Sequence, residues 1–138
     1  RTALFSTSDI EYSSRQDDFV MRVMLDAARY LLQNAPTRIV FLDGRTFSRA
    51  YQLDTVLEVA RELAQPWIIL ECVCSDDTAR RRLHLERDPS HPAQNRNFAL
   101  YLKMKTQFEP IRLAKTIIST DQEIARCTEQ GLSAIASR

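Results

Sequence analysis

Two apolar patterns take turns along the chain. In one, apolar residues recur every three or four positions, the spacing of a helix with one buried side. In the other they run without interruption for a few residues, as in strands covered on both faces. Residues 17–33 show the first, through Val20, Val23, Met24, Ala27, Ala28, Leu31 and Leu32. Ser14 and Asp17 supply an N-cap pair, and Pro36, which cannot continue a helix, ends it. Residues 38–43 show the second pattern and finish on Asp43, with Gly44 as the turn. A helix is predicted over 49–64, capped by Ser48, with Leu53, Val56, Leu57, Ala60 and Leu63 as its apolar set. Pro66 separates it from a strand over 67–74, and Ser75 caps a helix over 76–87. Asp88-Pro89-Ser90-His91-Pro92 is a break, and a further helix covers about 95–109. Residues 115–119 read as a short strand, and Thr120-Asp121-Gln122-Glu123 as a capping box for a last helix ending near residue 136.

Apolar strands alternating with helices predict an α/β fold of three layers, helices on both faces of a parallel sheet. The connections are long enough for right-handed crossovers. Three strands fall short of the roughly five or six of a mean sheet. Residues 1–16 are mostly polar and are not expected to add a central strand. The missing strands are therefore expected ahead of Arg1, which makes 1–138 a single, partial domain.

A length of 138 residues suits one core. No apolar span approaches the ~20 residues of a membrane helix, and the first residues do not resemble a signal peptide. Three cysteines make neither a disulfide framework nor a zinc set. Cys72 and Cys74 are expected to pack on one face of their strand, in a reducing cytoplasm. Net charge is +1, which exerts no global pull on nucleic acid. The basic residues are nonetheless biased: 16 of 19 are arginine, and five of those lie between Arg80 and Arg96. Arginine holds planar anions through paired hydrogen bonds better than lysine does.

Three constellations carry chemistry. Asp43 ends an apolar strand, and the carboxyl edge of a parallel sheet is where open α/β folds bind ligands. A carboxylate there holds Mg²⁺ in phosphoryl-transfer enzymes; alternatively Asp43 only opens the turn at Gly44. In residues 80–87, helical spacing puts Arg80, His84 and Arg87 on one side and Arg82 with Glu86 on another. Arginines ahead of a loop suit a lid over phosphates, or else form a solvated face near a helix C-terminus. After Asp43, Arg45 is placed to grip an anion and Thr46 to orient a hydroxyl, unless Gly44-Arg45-Thr46 is ordinary turn chemistry. The two glycines, Gly44 and Gly131, begin neither a G-x-x-x-x-G-K-[ST] loop nor a G-x-G-x-x-G loop. His84 and His91 lack metal-site spacing and are expected to be exposed.

Together these residues resemble the P-loop kinases related to polynucleotide kinase and to the adenylate-kinase-like small-molecule kinases. Val40-Phe41-Leu42-Asp43-Gly44-Arg45-Thr46-Phe47 is similar to the family's V-I-x-D-x-T-x strand end, with Thr46 one place later. Arg82-Leu83 through Arg87 resembles the R-L-x-x-R lid motif with one extra residue. Asp88-Pro89-Ser90 and Gln107-Phe108-Glu109-Pro110 look like the lid and its exit, and Arg1 falls where a D-x-x-R motif closes. Tyr12 sits at the spacing of the family's tyrosine-containing segment. The Walker A loop and the carboxylate three places before Arg1 depart from the pattern by their absence. The resemblance implies a first strand placed between those containing Phe41 and Ile69, drawn from roughly 40–60 residues upstream. It implies an ATP-dependent kinase using Mg²⁺, with a lid over about residues 80–109. Asp43, Arg82 and Arg87 are then the candidate catalytic residues, and Asp43 the metal-binding one. Arg80, Arg81, Arg82 and Arg87 bind the nucleotide, while Arg1, Arg45 and Thr46 face the acceptor. The acceptor is a small-molecule hydroxyl in preference to a polynucleotide end. The alternative is a nucleotide-binding or interaction module of the same shape without catalysis.

Overall fold

The computed structural model describes residues 4–11, 13–43, 47–85 and 97–137. The fold is mixed α/β: five α-helices and a two-stranded parallel sheet among the described residues. The chain forms two compact units, Arg1–Pro66 and Trp67–Arg138. Among the described residues no helix is long and apolar enough to cross a membrane.

The first unit is built on helices α1 (Ser14–Asn34) and α2 (Ala50–Glu62). Ser13, one residue earlier than expected, caps α1 by accepting from the Gln16 N–H. Gln16 is buried, and its side chain accepts from Glu11 N–H at 2.8 Å and donates to the Asp9 carbonyl at 2.8 Å. These bonds lay the preceding 3-10 turn, Thr7–Asp9, against the start of α1. Phe5 meets Phe19 edge-on at 5.8 Å beside it. Arg49, not Ser48, precedes α2, and its N–H donates to Gln52 Oε1 at 3.2 Å.

Met21 and Leu25 of α1 form the core with Val59 of α2, and Leu42, Phe47, Val56 and Leu63 pack against them. Neither Met21 nor Leu25 belongs to the apolar set read for this helix from its spacing. The helix carries apolar residues around much of its girth, so periodicity alone does not select the line that faces inward. Outside the core, Arg29 bridges Asp26 on its own helix and Glu62 on α2, both at 3.0 Å. The Tyr51 hydroxyl donates to Asp18 at 3.2 Å.

Residues 38–43, expected as a buried strand, belong to no strand. Exposure alternates along them: Ile39 is 62% and Phe41 67% exposed, while Val40 and Leu42 turn partly inward. Period-two alternation puts successive side chains on opposite sides. Among the described residues no neighbouring strand completes a ladder with this segment.

Helix α2 ends without glycine. Ala64 takes a left-handed φ of 51°. The Gln65 N–H returns to the Ala60 carbonyl at 2.8 Å, and the Ala64 N–H to that of Arg61 at 3.1 Å. This double closure is the Schellman motif, which normally takes glycine at the left-handed position.

The second unit pairs β1 (Leu70–Val73) with β2 (Thr116–Ser119) in parallel, from Leu70 opposite Thr116 to Val73 opposite Ser119. Thr116 N–H to the Ile69 carbonyl (2.9 Å) and Thr120 N–H to the Val73 carbonyl (2.7 Å) extend the pairing at either end. Lys115 and Glu71 form an ion pair at 2.7 Å. Helix α5 (Ile124–Ala136) lies on this sheet, with Gly131 above Ile118 and Leu70. Helices α3 (Asp76–Leu85) and α4 (Phe98–Lys105) occupy the connection between the strands. The expectation that Cys72 and Cys74 are buried is corrected: Cys72 is exposed and Cys74 half-buried.

Leu25 is 2% exposed, so Leu25→Ala leaves a cavity and is expected to cost about 2–5 kcal/mol. At Gly131 a Cβ would meet Ile118 Cδ1 and Leu70 Cδ1 at 3.8 Å, ordinary contact distance. Gly131→Ala is therefore expected to stabilise the protein, by roughly 0.5–1 kcal/mol. Denaturant unfolding of the two variants beside wild type checks both signs.

Candidate functional site at the strand ends

Parallel pairing brings the carboxyl ends of β1 and β2 level, so the turns that follow them lie side by side. Cys74 and Ser75 follow β1; Thr120 and Asp121 follow β2. The Asp121 carboxylate reaches across and accepts from Ser75 twice. The backbone N–H donates at 2.9 Å to Oδ2, and the hydroxyl at 3.0 Å to Oδ1. The same Ser75 hydroxyl accepts from the Thr78 N–H at 3.2 Å, so it caps α3 as expected while giving its proton to Asp121.

The Thr78 hydroxyl, then the Ser75 N–H and hydroxyl, and finally the charge of Arg82 hold the Asp121 carboxyl below the usual carboxylate range; desolvation opposes them. A hydrogen bond to the ionised form favours that form. Arg82 binds the other half of the same turn. Its Nη1 donates to Thr120 Oγ1 at 3.1 Å and its Nη2 to the Thr120 carbonyl at 2.6 Å.

The expected capping box over 120–123 is thus corrected. Helix α5 begins at Ile124, and Glu123 at its N-cap makes no side-chain capping bond. Thr120 and Asp121 are instead engaged across the sheet edge, where β1 and α3 offer donors and acceptors that no local turn supplies.

A second feature lies between α3 and α4. An open cleft of about 410 Å³ is lined by Arg80, Arg81 and His84, with Phe98, Asn97 and Asp77. The Arg80 guanidinium sits over the Phe98 ring at 4.2 Å, and Phe98 stacks on Tyr101 at 5.5 Å. Beyond them Asp76 accepts from the Tyr101 hydroxyl at 2.9 Å and from Lys105 Nζ at 2.6 Å. Lys105 first, then Tyr101, pull the Asp76 pKa down, and Asp76 in turn raises that of Lys105. Burial, followed by the bond to Asp76, raises the Tyr101 pKa. This clasp sets α4 against α3 and orders one side of the cleft.

Arg80 and Arg81 thus share the cleft, with His84, which is exposed as expected. Arg82 turns to the strand ends, on a different side of α3, as helical spacing predicts. Asp43 is exposed at the end of 38–43 in the first unit. Arg1, Tyr12, Gly44, Arg45, Thr46, Glu86, Arg87 and His91, and the 88–92 break, lie outside the described residues.

Among the described residues no three His, Cys, Asp or Glu side chains gather into a metal-holding group. Mg²⁺ nevertheless fits a single exposed carboxylate such as Asp43, since it keeps several waters and takes further oxygens from substrate phosphates.

Asp121, Thr120 and Thr78 are not among the site residues expected from the sequence, where Thr120 and Asp121 read only as part of a capping box. Their signal was present: Ile117-Ile118-Ser119-Thr120-Asp121 is a second apolar run entering a carboxylate, like the run into Asp43. The Thr-x-x-Glu spelling of a capping box masked it.

No protein-family model matches the chain, and neither a curated protein nor a solved structure matches it.

Asp121 is exposed, and its folded pKa lies below its unfolded one. The stability it contributes is therefore complete above the ordinary carboxylate pKa of about 4 and is lost as pH falls through the depressed folded value. Asp121→Asn is expected to lower the melting temperature at neutral pH, with the gap to wild type closing as pH falls below about 4. Thermal melts of both proteins across that range test the sign.

Proposed function

We propose that the chain is the nucleotide-binding part of an ATP-dependent phosphotransferase, its two-stranded parallel sheet belonging to a larger three-layer fold of the P-loop kinase type. One observation supports this more than any other. An arginine, Arg82, is held at the carboxyl edge of a parallel strand pair, while the neighbouring Arg80 and Arg81 open onto a cleft of the same helix. The carboxyl edge is where ligands of parallel α/β sheets bind. Fixed guanidinium groups are what a charged phosphoryl transition state needs.

In this proposal Arg82 spreads the charge developing on the transferred phosphoryl group. Arg80 and Arg81, joined by Arg87, bind the phosphates of ATP. Phe98 keeps Arg80 extended across its ring, which limits the freedom lost when an anion binds. Asp43 would be the carboxylate that holds a hydrated Mg²⁺, and the ion would supply charge neutralisation on the phosphates. Arg1, Arg45 and Thr46 face the acceptor, a small-molecule hydroxyl in preference to a polynucleotide end. The loop that grips the β- and γ-phosphates is not among the 138 residues, so on this proposal it comes from chain outside them.

The test uses the whole protein that carries this chain, with ATP and Mg²⁺ titrated by calorimetry and γ-phosphoryl transfer followed on a panel of hydroxyl acceptors. Binding with transfer is expected, and Arg82→Ala should lower kcat by about 10²–10³-fold with the fold intact by circular dichroism. Binding without transfer would support the alternative, a nucleotide-binding module without catalysis. Absence of ATP binding, or full turnover by Arg82→Ala, would overturn the assignment of the arginines.

A further inference from the structure

Arg82 does not end in open solvent; it ends on Thr120, and Thr120 has no freedom to turn away. The Thr120 hydroxyl donates its single proton to the Val73 carbonyl at 3.1 Å, and the Thr120 N–H reaches the same carbonyl at 2.7 Å. With its proton committed to β1, the hydroxyl faces Arg82 as an acceptor only. It therefore presents, together with the Thr120 carbonyl, a pair of acceptors whose placement is set by the sheet itself. The guanidinium meets that pair with both terminal nitrogens, at 3.1 and 2.6 Å. Among the described residues these bonds use two of its five N–H donors. The helix that carries Arg82 is tied to the same edge at its first turn, where Ser75 is held by Asp121. Both ends of the lever are thus referred to one fixed point, the level tips of β1 and β2.

On the basis of the phosphotransferase proposal, we infer that Thr120 is the positioning residue for Arg82. It touches no reacting atom. It holds the guanidinium in one orientation at the carboxyl edge before nucleotide arrives, so the reorganisation is made in the folded protein and not during the chemical step.

Thr120→Val deletes the hydroxyl and keeps the carbonyl and the branched shape; Thr120→Ser keeps the hydroxyl. In the whole protein, Thr120→Val is expected to lower kcat about tenfold with the ATP KM little changed, the loss of one hydrogen bond to a charged group. Thr120→Ser is expected to restore most of that rate. In an Arg82→Ala background Thr120→Val should cost nothing further, because the group it positions is gone. Thr120→Ala makes the same deletion should the valine variant not fold. Wild-type turnover in Thr120→Val overturns the inference. So does failure of rescue by serine, and so does an equal loss with and without Arg82. If wild type and Arg82→Ala behave as proposed while Thr120 variants do not, the inference alone falls. A wild-type protein without phosphoryl transfer removes the proposal and the inference together.

Discussion

Register between two short parallel strands governs the second half of this molecule. Because Val73 stands opposite Ser119, the residues that leave β1 and β2 emerge at the same height. Ser75 and Asp121 can then meet across the gap, and Thr120 can reach back to Val73. A slip of one residue would turn every side chain of one strand to the other face and separate these groups. Buried Ile118, beneath Gly131 of α5, gives the pairing its apolar anchor and so protects the register.

The polar groups at that edge are coupled. The Ser75 hydroxyl caps α3 and serves Asp121; the Thr120 hydroxyl serves Val73 and receives Arg82. Each is oriented because its proton has one destination. An exposed arginine held this way loses less entropy on meeting an anion than one that waves freely. The α3–α4 clasp works by different means: a carboxylate, an ammonium and stacked rings hold Arg80 beside the cleft.

The elements were largely legible in the sequence, because helix period and apolar runs are local signals. All five α-helices and the parallel sense of the sheet were anticipated, with boundaries shifted by a few residues. Two things were not legible. Which line of α1 turns inward depends on α2, so Met21 and Leu25 could not be chosen from spacing alone. And residues 38–43 look like a strand because they are apolar, but strandhood is a relation between segments; Ile39 and Phe41 stand exposed where a ladder was expected. At the candidate site, Arg80, Arg81 and Arg82 were visible as a run, and the separation of Arg80 from Arg82 follows from helical geometry. The partners of Thr120 and Asp121 were hidden, since they lie 38 and 46 residues away in sequence.

One detail at the end of α2 has a wider meaning. Ala64 occupies a left-handed conformation that costs an L-residue with a Cβ roughly 1–2 kcal/mol, and the Schellman bonds around it hold it there. A cost of that size is a sizeable share of the margin by which an ordinary domain stays folded. Backbone closure, and not residue identity, therefore dictates where this helix stops. The chain carries unused thermodynamic headroom at this helix end, open to recovery by removing a single methyl group.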